Sequence, residues 1–213
     1  MTGLLYKEFY TLKRYLKQYS TILIMFALIS VYMKSVVYLQ SMLTMSLGML
    51  TFTGITYDKM YGWDKLALTM PVSRSGIVLS KYIMSGLISA LALAVSSVIG
   101  IVIMQFVPVE EGIADILMVA VVLFGALLLI YAVILPIIYK FGVEKARIMM
   151  FGIIAIPIVL ITILVRHIPE PTQLIEFINS HVVLTGLIYL IICIAIDIIS
   201  YFISVHIYNQ KEF

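Results

Sequence analysis

The stretch "STILIMFALISVYMKSVVYLQSMLTMSLGMLTFTGITY", residues 20–57, runs for 38 positions with one charged side chain, Lys34. As one helix it would be roughly 57 Å long, about twice a 30 Å hydrocarbon core. Two spans joined by a tight turn at Met33-Lys34-Ser35 fit better, and that choice decides the topology of the whole chain.

Working outward, further apolar runs cover about Lys81 to Val107, Gly112 to Tyr139, Ile148 to Val165 and Val182 to His206. The expected fold class is therefore an all-α integral membrane protein with six transmembrane helices over residues 20–206. A mean hydropathy of +1.14 with 12% charged residues excludes an ordinary soluble domain. The lone Cys193 permits no disulfide within one chain. No aromatic-interleaved basic patch points to nucleic acid.

The basic residues fix the expected orientation. Of the 14 Lys and Arg, only Lys34 and Arg166 fall on one side of the six-span arrangement. The richer side should be cytoplasmic, and both termini lie there. A single first span would scatter these charges over both faces. Ahead of the first span, residues 1–19 read as a basic amphipathic helix on the inner leaflet. Leu5, Phe9, Leu12, Leu16 and Tyr19 share one face, and Lys7, Lys13, Arg14 and Lys17 cluster on another. Residues 207–213 form a short cytoplasmic tail. In the longest outer loop, 166–181, Pro169 and Pro171 stop the fifth span, and Leu174, Ile175, Phe177 and Ile178 could form a short helix in the outer headgroup region.

The catalytic inventory is empty. There is no P-loop, HExxH or G-x-S-x-G. His167, Glu170, Glu176 and His181 match no metal-ligand spacing, so no catalytic and no metal residue is expected. Asp197 is the conspicuous intramembrane residue. A carboxylate there costs on the order of 2.5–3.5 kcal/mol on insertion scales, so it should face protein or water. A hydrogen-bond clamp to hydroxyls of a neighbouring span is favoured over a proton or cation relay. In the second span Gln40, Thr44, Gly48 and Thr51 recur at helical spacing beside Met42, Met45 and Met49. Gln40, Thr44, Met45, Met49 and Thr51 could line a path for amphipathic cargo, since methionine adapts to varied apolar shapes. Plain packing is the competing explanation. Ser85, Ser89, Ala92, Ser96 and Gly100 form a small-residue stripe suited to close helix packing.

Residues 58–80 are the largest expected cytoplasmic loop. Met60 to Met70 can form a short helix stopped by Pro71, with Ser73 or Ser75 capping the next one. Trp63, Leu66 and Met70 would project from one side as a docking surface flanked by Asp64 and Lys65. Asp58, Gly62-Trp63-Asp64, Met70-Pro71-Val72-Ser73-Arg74 and Ser80-Lys81-Tyr82 together resemble the signature loop of ABC type-2 exporter permeases of the small bacterial kind. Met70 stands where leucine is usual. The interfacial helix, six spans and basic tail match in layout.

The resemblance implies a multi-pass permease of the bacterial plasma membrane, forming half of a translocation path with a second copy or a homologue. It implies ABC ATPase subunits as partners, with ATP and Mg bound there and no cofactor in this chain. Asp58, Gly62, Trp63, Asp64, Leu66, Met70, Pro71 and Arg74 would form the coupling site. The implied cargo is an amphipathic or hydrophobic peptide. Alternatives are export of a lipid, drug or ion, or a stand-alone channel or secondary transporter using Asp197.

Overall fold

The computed structural model of the chain describes residues 2–13, 16–109, 111–167 and 181–211, and every regular element among them is a helix. The helices are α1 (Thr2–Lys13), α2 (Leu16–Met33), α3 (Val36–Met60), α4 (Trp63–Leu68), α5 (Arg74–Phe106), α6 (Ile113–Phe141), α7 (Val143–His167) and α8 (Val182–Asn209). Four of them, α3, α5, α6 and α8, are long and apolar enough to cross a bilayer, and Tyr19–Met33 is a shorter apolar helical stretch. The interfacial segment in the 168–180 loop lies outside the described residues.

The long apolar run does break where its length demands. Lys34 adopts φ 52°, and Ser35 is extended at φ −135°, ψ 118°. The Ser35 side chain accepts from the Tyr38 amide at 3.4 Å, and the Ser30 hydroxyl donates to the Ser35 carbonyl at 2.6 Å. The turn thus satisfies part of the backbone that two helix ends leave open. Glu111 reinforces it from the α5–α6 connection, accepting from the Ser35 hydroxyl at 2.5 Å and the Val36 amide at 3.2 Å. Burial pushes the Glu111 carboxyl up, but these hydrogen bonds prevail and hold it below its ordinary value.

At the start of the chain the structure differs from the expected pattern. The second helix already begins at Leu16, and α1 turns Leu4 and Glu8 inward while Phe9 is 59% exposed. The reason is electrostatic, because Glu8 has a lysine to meet inside the bundle.

α6 packs most extensively on α8, α3 on α5, and α5 bridges the two pairs. The stripe Ser85, Ser89, Ala92, Ser96, Gly100 is buried as its small side chains predict. Its serine hydroxyls at 85, 89 and 96 donate to carbonyls of their own helix, which removes their polarity from the interface. A Cβ on Gly100 would come within 2.3 Å of a Val36 methyl. Pro136 sits inside α6 and lacks the N–H that would reach the Ala132 carbonyl. The Ser200 hydroxyl of α8 donates to that carbonyl instead, and shares a 2.7 Å hydrogen bond with the Tyr82 hydroxyl of α5. Tyr82 also meets Ser204 at 2.8 Å. A missing backbone donor in one helix therefore recruits two others.

The larger buried apolar cluster runs from Leu127 and Tyr131, midway along α6, to Leu4, Ala67, Ile77, Tyr139 and Tyr208 at the end of the bundle carrying α1 and α4. A smaller one, Val36, Leu39, Leu43, Ile103 and Ile116, closes the opposite end.

Two measurements test this architecture. Gly100→Ala should destabilise the protein by about 1–3 kcal/mol through overpacking, and Val36→Ala in the same chain should restore most of the loss, read as thermal unfolding in detergent. For topology, single cysteines at Lys34 and Lys65 in a Cys193→Ser background should react with an impermeant maleimide from opposite sides of the membrane. Labelling of both in intact cells would overturn the assigned orientation.

Candidate functional site

The chemistry-bearing side chains gather around α4. Helix α3 continues through Asp58 and Lys59 to Met60, so these residues belong to the helix rather than to a loop. The chain reverses at Tyr61-Gly62, where Gly62 takes φ 66°, ψ 27°, a left-handed conformation that glycine adopts without strain. The short helix begins at Trp63 and ends at Leu68, inside the 60–70 range expected. Ser73 then caps α5 by accepting from the Gly76 amide at 3.1 Å.

Beneath this turn, charges from three helices close a ring. Lys81 of α5 pairs with Asp58 Oδ2 of α3 and, at 2.5 Å, with Glu8 Oε1 of α1. Lys7 of α1 pairs with the other Asp58 oxygen and, at 3.0 Å, with the same Glu8 oxygen. Asp58, Glu8 and Lys81 are buried. Signs alternate around the ring, so its net charge is zero. Balance matters because each ion costs several kcal/mol to desolvate, and removing one partner of a buried pair costs about 3–5 kcal/mol. Asp58 and Lys81, both in the recognised motif, are thus partners. Lys7 and Glu8 were not expected at the site. The available signal was Glu8, an acid in an otherwise basic helix.

A second network joins α4 to the last helix. Asp64 pairs with Lys59 and accepts from the Tyr208 hydroxyl at 3.2 Å. Lys59 also lies 5.8 and 6.0 Å from the Tyr139 and Tyr208 ring centres. Lys211 donates to the Tyr139 carbonyl at 3.1 Å. Burial, then the nearby Lys59 charge, lowers the Lys211 ammonium below its ordinary value, with Asp64 opposing. Arg74 Nη1 donates towards the Asn209, Lys211 and Tyr208 carbonyls at 2.8, 3.2 and 3.4 Å. A cation there complements the partial negative charge of a helix C-terminus.

The expected docking side is divided. Leu66 and Met70 are 53% and 40% exposed, and Met60, Tyr61 and Pro71 are exposed beside them. Trp63 does not project with them: it is half-buried against the large apolar cluster, with Lys7 Nζ 4.4 Å from its ring centre.

The expected path residues are divided as well. Gln40, Thr44 and Thr51 are buried, with Gln40 donating to the Ser97 hydroxyl at 3.0 Å and the Ile116 carbonyl at 3.2 Å. Met45 and Met49 are each 43% exposed on the adjacent face. The cleft they share with α6 and α7 has a volume of about 40 Å³. On that measure a water needs about 10–15 Å³, so the cleft suits a few waters rather than a peptide.

The hydroxyl clamp expected at Asp197 is made about one and two turns further along, by Ser200 and Ser204. Asp197 Oδ1 is buried and, among the described residues, has no hydrogen-bond partner. Among the described residues, no His, Cys, Asp and Glu side chains group as metal ligands.

Residues 3–209 match the sequence profile of the ABC-2 family transporter proteins. No curated protein sequence matches the chain. The profile spans nearly the whole chain, so it belongs to this family, as the membrane-embedded permease of an ABC transporter.

Arg74→Gln should lower stability by about 1.5–3 kcal/mol, the range for hydrogen bonds involving a charged group. Arg74→Lys should recover part of that, because a point charge still faces the carbonyls. Thermal unfolding of the purified variants checks both.

Proposed function

We propose that this permease seats the exposed strip around α4 on a separate ATPase subunit and works with a second permease copy or homologue to export amphipathic or hydrophobic peptides. The observation that carries the reading is the contrast within residues 58–81. Asp58, Lys59, Asp64 and Lys81 are held in ion pairs, while Met60, Tyr61, Leu66 and Met70 stay exposed beside the exposed Lys65. Exposed apolar side chains backed by a rigid frame suit a docking surface. ATP and Mg would be bound by the partner.

The rigid frame also gives the strip something to move. α4 is braced to α8 through Asp64 and Tyr208, and α5 through Arg74 to the end of α8. A displacement of α4 therefore reaches the bundle without a change within the spans. For cargo, the support is the exposed Met42, Met45 and Met49 face of α3, whose flexible side chains accommodate varied apolar shapes. The small cleft behind it makes that face half of a path, completed by the second permease.

The test is affinity capture of the tagged chain from native membranes. Capture should bring a P-loop ATPase, and Leu66→Ala with Met70→Ala should weaken that association tenfold or more, about 1.4 kcal/mol. Membrane insertion should be unchanged. In proteoliposomes of the captured complex, an amphipathic helical peptide should stimulate ATP hydrolysis, and Met45→Ala with Met49→Ala should blunt the stimulation. Undiminished ATPase capture by the Leu66/Met70 variant would remove the docking strip. Hydrolysis indifferent to the peptide would remove the cargo class.

A further inference from the structure

Lys7 occupies a position that neither a membrane anchor nor a simple ion pair requires. Its ammonium touches groups from three elements at once: Glu8 of its own helix α1, Asp58 of α3 and the ring of Trp63 in α4. α4 is one of the shortest elements, of six residues, and its N-terminal flank is a left-handed glycine with no side-chain cap. Nothing within so short a helix fixes its tilt, since isolated helices of that length are unstable in water. Trp63 is its first residue, and the ammonium over the Trp63 face ties that end to α1, while Asp64 beside it ties the same end to Lys59 and Tyr208. The other end of Lys7's partnership, Asp58, is locked by Lys81 through its second oxygen.

We infer that Lys7 is a positioning residue that sets the orientation of α4, so that α1, the end of α3 and α4 form one unit. The N-terminal helix is then a working part of the coupling face and moves with it. The consequence for coupling rests on the exporter reading above; the placement of α4 by Lys7 does not. A displacement of α4 passes through the Trp63–Lys7 contact into α1, and from Lys7 through Asp58 to Lys81 at the head of α5. Arg in place of Lys7 retains the charge and stacks well on an aromatic face. Methionine keeps comparable bulk and loses both interactions.

The chain supplies its own probe, because Trp63 is its only tryptophan. The experiment measures emission and acrylamide quenching of the purified permease in lipid nanodiscs, without any ATPase, alongside thermal unfolding. Lys7→Met should raise the quenching constant roughly twofold, the population change expected when a weak cation–π contact is lost. It should also lower the unfolding temperature, because the ring is left with a net negative charge. Lys7→Arg should keep quenching at the parent level.

The deciding variant combines Lys7→Met with Asp58→Asn. It leaves the balanced Lys81–Glu8 pair, so stability should return towards the parent while Trp63 stays as open to acrylamide as in Lys7→Met. If Lys7→Met alone does not fold, the balanced variant carries the same comparison against the parent. Parent-level quenching in the balanced variant would overturn the inference, since Lys7 would then contribute charge balance alone. Because no ATPase is in the assay, that result would leave the exporter reading standing. Conversely, failure to capture an ATPase would leave the role of Lys7 in placing α4 intact.

Discussion

The arrangement of the charged end of this permease depends on one buried ammonium, that of Lys81. It enters α5 about two turns from its start, deeper than a lysine can remain unless its charge is met. Asp58 and Glu8 meet it, and two carboxylates on one lysine leave an excess of negative charge that Lys7 cancels. Three helices are thereby fixed to each other by the need to balance a single cation. The same need turns α1 over, so that Glu8 faces the bundle and Phe9 faces away.

The ring lies against the end of the large apolar cluster that carries α1 and α4, where the chain passes from one solvent to the other. Over the spans, lipid is as apolar as the side chains, and α8 has only 6% of its most apolar window buried. Helices there are joined by small residues and by specific polar contacts, such as Ser200 answering the carbonyl that Pro136 leaves open. At the charged end the chain meets water, so apolar burial again drives packing. Leu4, Ala67 and Tyr208 are covered there, and Arg74 and Asp64 tie the covering elements together.

The division of α3 follows from the same physics. Gln40, Thr44 and Thr51 face α3's neighbours, where polar groups are sheltered from lipid, while the methionines at 42, 45 and 49 take the open face. One helix thus presents a polar seam inward and an adaptable apolar surface outward.

Much of this was legible in the sequence. The hydropathy of 20–57 against the thickness of a bilayer requires a break, and Lys34-Ser35 supplies both a residue able to turn and a cap. A short helix ahead of Pro71 and a serine cap for the next helix were legible because each has a local backbone consequence, whereas the short helix's start at Trp63 after a left-handed Gly62 lies inside the expected 60–70 range. The small-residue stripe of α5 announces close packing by its volume alone. What only the tertiary structure decided are the pairings between distant segments. Asp58 and Lys81 stand in one motif, but their need for Glu8 and Lys7, some 50 to 73 positions earlier, has no periodicity to betray it. The inward turn of Trp63 was hidden likewise, since an aromatic flanked by charges reads as an exposed anchor until the ammonium that covers it is in place. Local sequence sets where a helix starts, stops and bends; which of its faces is buried depends on the charges that the rest of the chain brings to it.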